Sequence, residues 1–252
     1  MRIGVDLDNT LICYDEAFLS VGRELNLLPG NWRGNKYQIH EHLAGLPNGE
    51  TSWQRLQGQV YGKWISRAKL FPGLYRFLWR CKQQGISVEV VSHKSEYGHF
   101  DKERISLRRS AEEFLVRYGV YSNDNSSLLA GLTFCASREE KLCCIYESKF
   151  DWFIDDLPEI LESEQFPRST NKLGFDPSRM REFKNIELAE SWAEIESRLL
   201  GSWTEGELLM LAREVTNQPV TGAEWHGGRG NSGVVRVQMA DGLATALKIY
   251  SD

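Results

Sequence analysis

Short runs of apolar, often β-branched residues alternate along the chain with longer stretches in which apolar residues return every three or four positions. The runs Arg2–Leu7, Ser87–Val91, Leu132–Cys135, Trp152–Ile154 and Lys172–Phe175 predict strands. The periodic stretches Leu74–Gln84, Glu103–Tyr118, Arg138–Tyr146 and Ile186–Leu199 predict the helices between them. Strands and helices in alternation predict an α/β fold, a Rossmann-like parallel sheet flanked by helices. Right-handed crossovers would bring the C-terminal ends of the strands to one rim.

The interval between the first two strands is far longer than the dozen or so residues that a crossover needs. Residues 14–69 therefore read as an insertion. Helical patterns over Asp15–Leu25 and Ser52–Ser66 make it a small helical cap, joined through Pro29–Asn35 and Pro47–Thr51. An insertion at the C-terminal end of a strand can cover a site there and exclude water. After residue 200 the pattern changes. One helical segment within Gly201–Asn217 leads to a glycine-rich stretch and two strand-like runs, Val234–Met239 and Leu243–Tyr250. The expected organisation is a main domain over residues 1–200 and a linker helix with a short β-rich C-terminal extension over 201–252.

The formal charge of −5 disfavours broad binding to nucleic acid or to an anionic membrane. No apolar run approaches the roughly 18 residues that span a bilayer, and the N-terminus lacks a signal-peptide pattern. Five cysteines, Cys13, Cys81, Cys135, Cys143 and Cys144, include no CxxC pair, which points to reduced thiols in a cytoplasmic protein.

The candidate chemistry lies at the predicted strand ends. Asp6-Leu7-Asp8-Asn9-Thr10 closes the first strand and Asp155-Asp156 follows the fourth. Either pair alone could merely end a strand or cap a helix. Two carboxylate pairs meeting at one rim would repel unless a proton or cation lay between them, and hard oxygen ligands suit Mg²⁺. Ser92 adds a hydroxyl at the end of the second strand. Lys141 adds an ammonium on the helix before the fourth, where Ser137 and Glu140 read as a capping box. Lys149 competes for the same role but reads as a solvated turn residue.

On these four motifs, Asp6-Leu7-Asp8-Asn9-Thr10, Ser92, Lys141 and Asp155-Asp156, residues 1–199 resemble the haloacid dehalogenase-like hydrolase superfamily. Phe153-Ile154-Asp155-Asp156-Leu157-Pro158-Glu159-Ile160 is similar to the acidic motif of its phosphatase branch. The resemblance implies Asp6 as nucleophile, Asp8 as general acid and base, and Ser92 and Lys141 as the grip on the phosphoryl group. It implies Mg²⁺ as cofactor, held by Asp6, the backbone carbonyl of Asp8 and one of Asp155 and Asp156. Asp156 is favoured as the direct ligand, with Asp155 orienting Lys141 or a metal-bound water. Asn9, Thr10 and His93 are candidate substrate- or phosphate-binding residues. The implied substrate is a small phosphorylated metabolite, a sugar or nucleotide monophosphate. Retention of both Asp6 and Asp8 favours phosphoester over carbon–halogen chemistry.

Other residues read more plainly. Asp101 is expected to cap the helix that follows it. His40 and His42 are two apart in the insert with no identifiable metal partners. Arg33 and Lys36 are expected at a solvated surface, although they could meet an anionic substrate. The Trp53–Trp64 segment is expected to pack the cap on the core. At the C-terminus, Gly228-Arg229-Gly230-Asn231-Ser232-Gly233-Val234-Val235 fits a glycine-rich loop between two strands, and Ala246-Leu247-Lys248-Ile249 is similar to a kinase's lysine-bearing third strand. The last 32 residues thus resemble the start of a protein-kinase-like or aminoglycoside-phosphotransferase-like lobe. Without a catalytic aspartate before Asp252, kinase activity from this chain is not expected. An open hairpin of this kind is expected to dock on the main domain, to pair with another chain, as in self-association through this extension, or to be poorly ordered. Two further readings stay open, the phosphatase half of a bifunctional phosphatase–kinase and a non-catalytic phospho-ligand-binding module.

Overall fold

The computed structural model describes residues 1–229 and 232–250. The backbone divides into two compact units, Met1–Phe71 with Ile86–Glu190, and Pro72–Gly85 with Ser191–Asp252. The division thus falls ten residues before the expected boundary, and it carries residues 72–85 with the second unit.

In chain order the elements begin with β1 (Arg2–Val5), β2 (Ile12–Cys13), α1 (Asp15–Glu24), α2 (Lys36–Ala44), α3 (Gly49–Tyr61) and β3 (Lys69–Leu70). The helix α4 (Leu74–Gln83), a member of the second unit, comes next. The first unit continues with β4 (Ser87–His93), α5 (Leu107–Arg117), β5 (Gly131–Cys135), α6 (Arg138–Ser148), β6 (Trp152–Asp155), α7 (Pro158–Leu161), β7 (Asn171–Phe175) and β8 (Leu188–Ala189). Six of these strands form one sheet in the order β5-β4-β1-β6-β7-β8, every pair parallel. The fold is therefore the expected Rossmann-like sheet flanked by helices. On one face, Val91, Cys135, Phe153, Leu142, Ile145, Phe150, Ile160, Leu161 and Phe166 bury a continuous apolar core. Gly4 allows this packing, because a β-carbon there would lie 2.4 Å from the Phe153 ring and 2.6 Å from Phe150.

The insertion is built as expected from helices, with one more than its pattern predicts. The short strands β2 and β3 pair antiparallel through Ile12–Leu70 and Cys13–Lys69 and close its base. Between them α1 and α3 pack through Phe18 and Trp53, stacked 5.0 Å apart. The unpredicted α2 starts at Asn35, whose side chain accepts from Gln38 N while Gln38 Oε1 accepts from Asn35 N, a complete capping box. Its apolar face is only Ile39 and Leu43, too short a stripe to register as a period.

Two other boundaries shift. The stretch Ile186–Leu199 is not one helix: β8 occupies Leu188–Ala189, and Ser191 caps α8 (Trp192–Leu200) through Glu194 N. Helix α5 begins at Leu107, not Glu103, with Ser106 as its cap. Asp101 instead accepts from Glu103 N and Ile105 N in the preceding turn, 3.0 and 2.8 Å.

The second unit contains α4, α8, α9 (Glu205–Thr216) and the strands β9 (Val220–Arg229), β10 (Ser232–Met239) and β11 (Ala244–Tyr250). The strands form an antiparallel sheet in the order β11-β10-β9. Val220, Ala223, Val235, Val237 and Met239 pack on Leu208 and Ala212 of α9. Arg80 of α4 is buried and clamps the Glu207 carboxylate with two bonds of 2.9 and 3.1 Å. It also donates to Glu196, 3.1 Å, and to the carbonyls of Gly201 and Ser202. Burial acts to raise the Glu207 carboxyl, but Arg80, the Thr204 N–H and Gln84 outweigh it and hold the group at about 2. Of the glycine-rich motif, Gly230 and Asn231 lie outside the described residues. The strand carrying Lys248 pairs with β10, where Lys248 lies opposite Val234.

Candidate active site

The strand order places β1 between β4 and β6, so the C-terminal ends of these three strands are neighbours. The ladder between β1 and β6 extends one step past β1, where Asp6 N donates to Ile154 O at 2.9 Å. The chain then turns sharply. Asn9 adopts a left-handed conformation, φ 63°, which Asn tolerates better than most residues, and Asn9 N donates to Ile12 O. Leu11 N and Ile12 N both donate to Leu7 O. This tight loop buries Thr10 and brings both Asp6 and Asp8 to the rim. Ser92 lies one residue before the end of β4 and is buried, whereas His93, its last residue, is exposed.

Asp155 closes β6. Its Oδ1 accepts from Leu157 N at 2.9 Å and its Oδ2 from Lys141 Nζ at 2.7 Å. Lys141 also donates to Asp6 Oδ1 at 2.6 Å and is fully buried. The cap of α6 sets that position: Ser137 Oγ accepts from Glu140 N, which puts Lys141 on the first turn. The expected capping box is only half formed, because Glu140 accepts from Ala136 N. Lys149 is exposed at the C-terminal cap of the same helix, away from this chemistry.

Asp6, Asp155 and Asp156 are all buried, and one carboxylate oxygen from each lies within 4.8 Å of the others. Burial and the neighbouring carboxylates push Asp155 up to about 7 and Asp156 up to about 6, although Lys141 and Arg181 act in the opposite direction. For Lys141, burial acts to lower the ammonium, but Asp155 and Asp6 hold it above the usual lysine range. Three hard oxygen donors that resist sharing one pocket as anions fit a divalent cation such as Mg²⁺. The Asp8 side chain stands apart from the three. Lys94 Nζ donates to both its oxygens, 2.8 and 2.7 Å, and Tyr14 OH donates at 2.7 Å. Burial would raise the Asp8 carboxyl, yet Lys94 and Tyr14 keep it below the usual range.

The insertion supplies several groups to the same rim. Tyr37 OH donates to Asp156 Oδ2 at 3.2 Å and accepts from Arg181 Nε at 2.8 Å. Arg181 Nη2 donates to Asp156 Oδ2 at 2.9 Å. The Tyr61 ring lies 4.7 Å from Tyr14 and 4.5 Å from Lys94 Nζ. Lys36, expected at a solvated surface, is instead buried against Phe18, Tyr37 and Tyr61, while Arg33 is exposed as expected. His40 and His42 form no metal cluster among the described residues; His40 packs on Trp53 and His42 faces Trp32. Sequence patterns pass over Arg181, Tyr14, Tyr37 and Tyr61. The Arg181 segment has no periodicity, and the tyrosines sit among apolar neighbours that explain them equally well as packing.

No family model and no curated protein matches the chain. Solved structures share its fold. A predicted phosphatase from Clostridium acetobutylicum is 11% identical with a TM-score of 0.53, covering 80% of this chain and 98% of that one. The Mycobacterium tuberculosis Protein Tyrosine Kinase A is 14% identical with a TM-score of 0.52, over 80% and 98%. A Had-superfamily hydrolase from Ehrlichia chaffeensis is 15% identical over 79% and 95%, with a TM-score of 0.42. At these identities the first two establish likeness of the α/β fold.

Proposed function

We propose that the chain is a Mg²⁺-dependent phosphoric monoester hydrolase of the haloacid dehalogenase-like type, acting on a small phosphorylated metabolite of the sugar or nucleotide monophosphate class. One observation carries this reading. Asp6 ends the central strand in a buried three-carboxylate cluster, hydrogen-bonded to a lysine that also binds Asp155. The likeness in fold to a predicted phosphatase is consistent with it.

In the proposed reaction an Asp6 oxygen attacks phosphorus. The ester oxygen leaves and takes a proton from Asp8, which gives an aspartyl-phosphate on Asp6. In the second step Asp8 takes a proton from water. The water oxygen attacks phosphorus, and the Asp6 carboxylate departs, releasing inorganic phosphate. Ser92 and Lys141 hold the phosphoryl oxygens, with Asn9, Thr10 and His93 as further contacts of the substrate. Asp6, Asp156 and the Asp8 backbone carbonyl would hold Mg²⁺, which when bound screens the repulsion between Asp6 and the phosphate dianion. Asp155, with both oxygens engaged by Lys141 and Leu157 N, acts as the positioning group. Lys94 and Tyr14 fix the Asp8 carboxylate, and Asp8 takes up its proton once Lys94 turns to an incoming anion.

Phosphate release from p-nitrophenyl phosphate tests the reading. Wild type with Mg²⁺ is expected to turn over, and both EDTA and Asp6→Asn are expected to abolish turnover. Binding of phosphate with no turnover of any ester would favour the non-catalytic module instead.

The C-terminal sheet favours a second reading, a phosphatase joined to a kinase-like lobe. Its β9 and β10 adjoin the glycine-rich stretch and β11 carries Lys248, an order that supports the resemblance to that lobe's start. Transcript sequence past Asp252 tests it: a downstream catalytic-loop aspartate supports it, and an immediate stop codon removes it.

A further inference from the structure

Among the described residues, Lys36 is the cation of the candidate site that makes no ion pair. Lys94 is paired with Asp8, Lys141 with Asp6 and Asp155, and Arg181 with Asp156. Among the described residues the Lys36 ammonium has no ion-pair partner within 4.0 Å, although the residue is only 8% exposed. Its surroundings are the faces of Tyr61, Phe18 and Tyr37, with ring centroids 5.5, 5.7 and 5.9 Å from Nζ. Aromatic faces attract an ammonium but accept no conventional hydrogen bond from it, so its three N–H groups remain free to donate to an incoming anion. The stem of Lys36 is thus buried among rings, and its ammonium is held near the site without being neutralised by an ion pair.

The backbone shows how it is held. Lys36 opens α2 directly after the Asn35 capping box, and its own N–H donates to Asp15 Oδ1 at 2.9 Å, tying the start of α2 to the start of α1. The next residue, Tyr37, reaches Asp156. Asp156 and Asp8 are the carboxylates that act most strongly on the Lys36 charge. The ammonium is thus carried by the insertion, on the first turn of the helix whose next residue bonds Asp156. On the phosphatase reading, Ser92 and Lys141 grip the phosphoryl group, which leaves a cation from the insertion for the part of the substrate that is not transferred.

We propose that Lys36 is a specificity-determining residue that binds a second anionic group on the substrate, a carboxylate or a second phosphate, so that the preferred substrates are phosphomonoesters bearing such a group. The proposal rests on the phosphatase reading above.

Matched pairs of esters test it with the full chain and Mg²⁺. In 3-phosphoglycerate and glycerol 3-phosphate a carboxylate replaces a hydroxymethyl group; in fructose 1,6-bisphosphate and fructose 6-phosphate a phosphate replaces a hydroxyl. Wild type is expected to prefer the more anionic member of at least one pair by about tenfold or more in kcat/KM, chiefly through KM. Lys36→Met is expected to erase that preference and Lys36→Arg to retain it. Lys36→Met should melt close to wild type, because methionine keeps the buried stem's volume and no ion pair is lost. Turnover of p-nitrophenyl phosphate without a preference in either pair would overturn the role of Lys36 and leave the phosphatase reading standing. Equal loss on both members in Lys36→Met would do the same. No turnover of any ester would overturn both.

Discussion

Replacement of Lys141 by methionine gives the sharpest test of how the acidic cluster is held together. Methionine fills most of the same volume, so the perturbation is the loss of one buried ammonium and its two bonds, 2.6 Å to Asp6 and 2.7 Å to Asp155. Removing one partner from a buried ion pair costs about 3–5 kcal/mol, because the other charge is left without compensation. For a chain of this size that is a fall of about 6–20 °C in melting temperature. The loss should depend on pH. Asp155 already sits at about 7 in the folded protein, well above a carboxylate in an unfolded chain. A carboxylate raised on folding binds its proton more tightly in the native state, so stability falls as pH rises from the unfolded value toward the folded one. Without Lys141 that value moves higher still, and the variant avoids part of the penalty by staying protonated in mild acid. The deficit in EDTA is therefore expected to be larger at pH 8 than at pH 5.5, and added Mg²⁺ should recover part of it at pH 8. Thermal unfolding followed by circular dichroism at the two pH values reads both effects. A deficit under about 1 kcal/mol at pH 8, or one that does not change with pH, would refute the account of Lys141 as the counter-charge of the cluster.

Two further outcomes follow from packing away from the cluster. Arg80→Met in the second unit strips the cation from Glu207 and Glu196 and should destabilise by about 3–5 kcal/mol in urea unfolding. Because Arg80 and its neighbours hold Glu207 at about 2, the stability it contributes in wild type is present above the usual glutamate value and is lost as pH falls from about 4 toward 2, an acid limb that Glu207→Gln should flatten. Gly98→Ala should loosen the insertion, since a β-carbon at residue 98 would lie 2.5 Å from the Gly58 Cα in α3; limited proteolysis between residues 45 and 62 should accelerate.

The sheet was legible because each of its longer strands is a short apolar run, and buried parallel strands need nothing more. The Ser137 cap and the polarity of Arg138–Lys141 likewise mark where α6 starts, and so put Lys141 near the rim. What the pattern misses depends on contacts distant in sequence. Lys36 reads as surface because nothing near it in the chain shows that Phe18 and Tyr61, from two other helices, will close around it. Arg181 lies in a loop without periodicity, and its bond to Asp156 depends on where β7 and β8 leave that loop. The predicted helix over Ile186–Leu199 fails for a local reason. Ser191 offers a strong cap that ends the preceding extended segment, and Leu188–Ala189 gains ladder bonds by joining the sheet beside β7.

The central claim is that Asp6 becomes phosphorylated during turnover. Acid quench of the enzyme in the steady state, followed by peptide mass mapping, tests it most directly. An 80 Da addition is expected on the peptide that carries Asp6, absent in Asp6→Asn and, with p-nitrophenyl phosphate, whose leaving group needs no proton, enriched in Asp8→Asn, where the second step is slowed. Phosphate release in which the addition appears on another residue, or in which Asp6→Asn turns over like wild type, would contradict it.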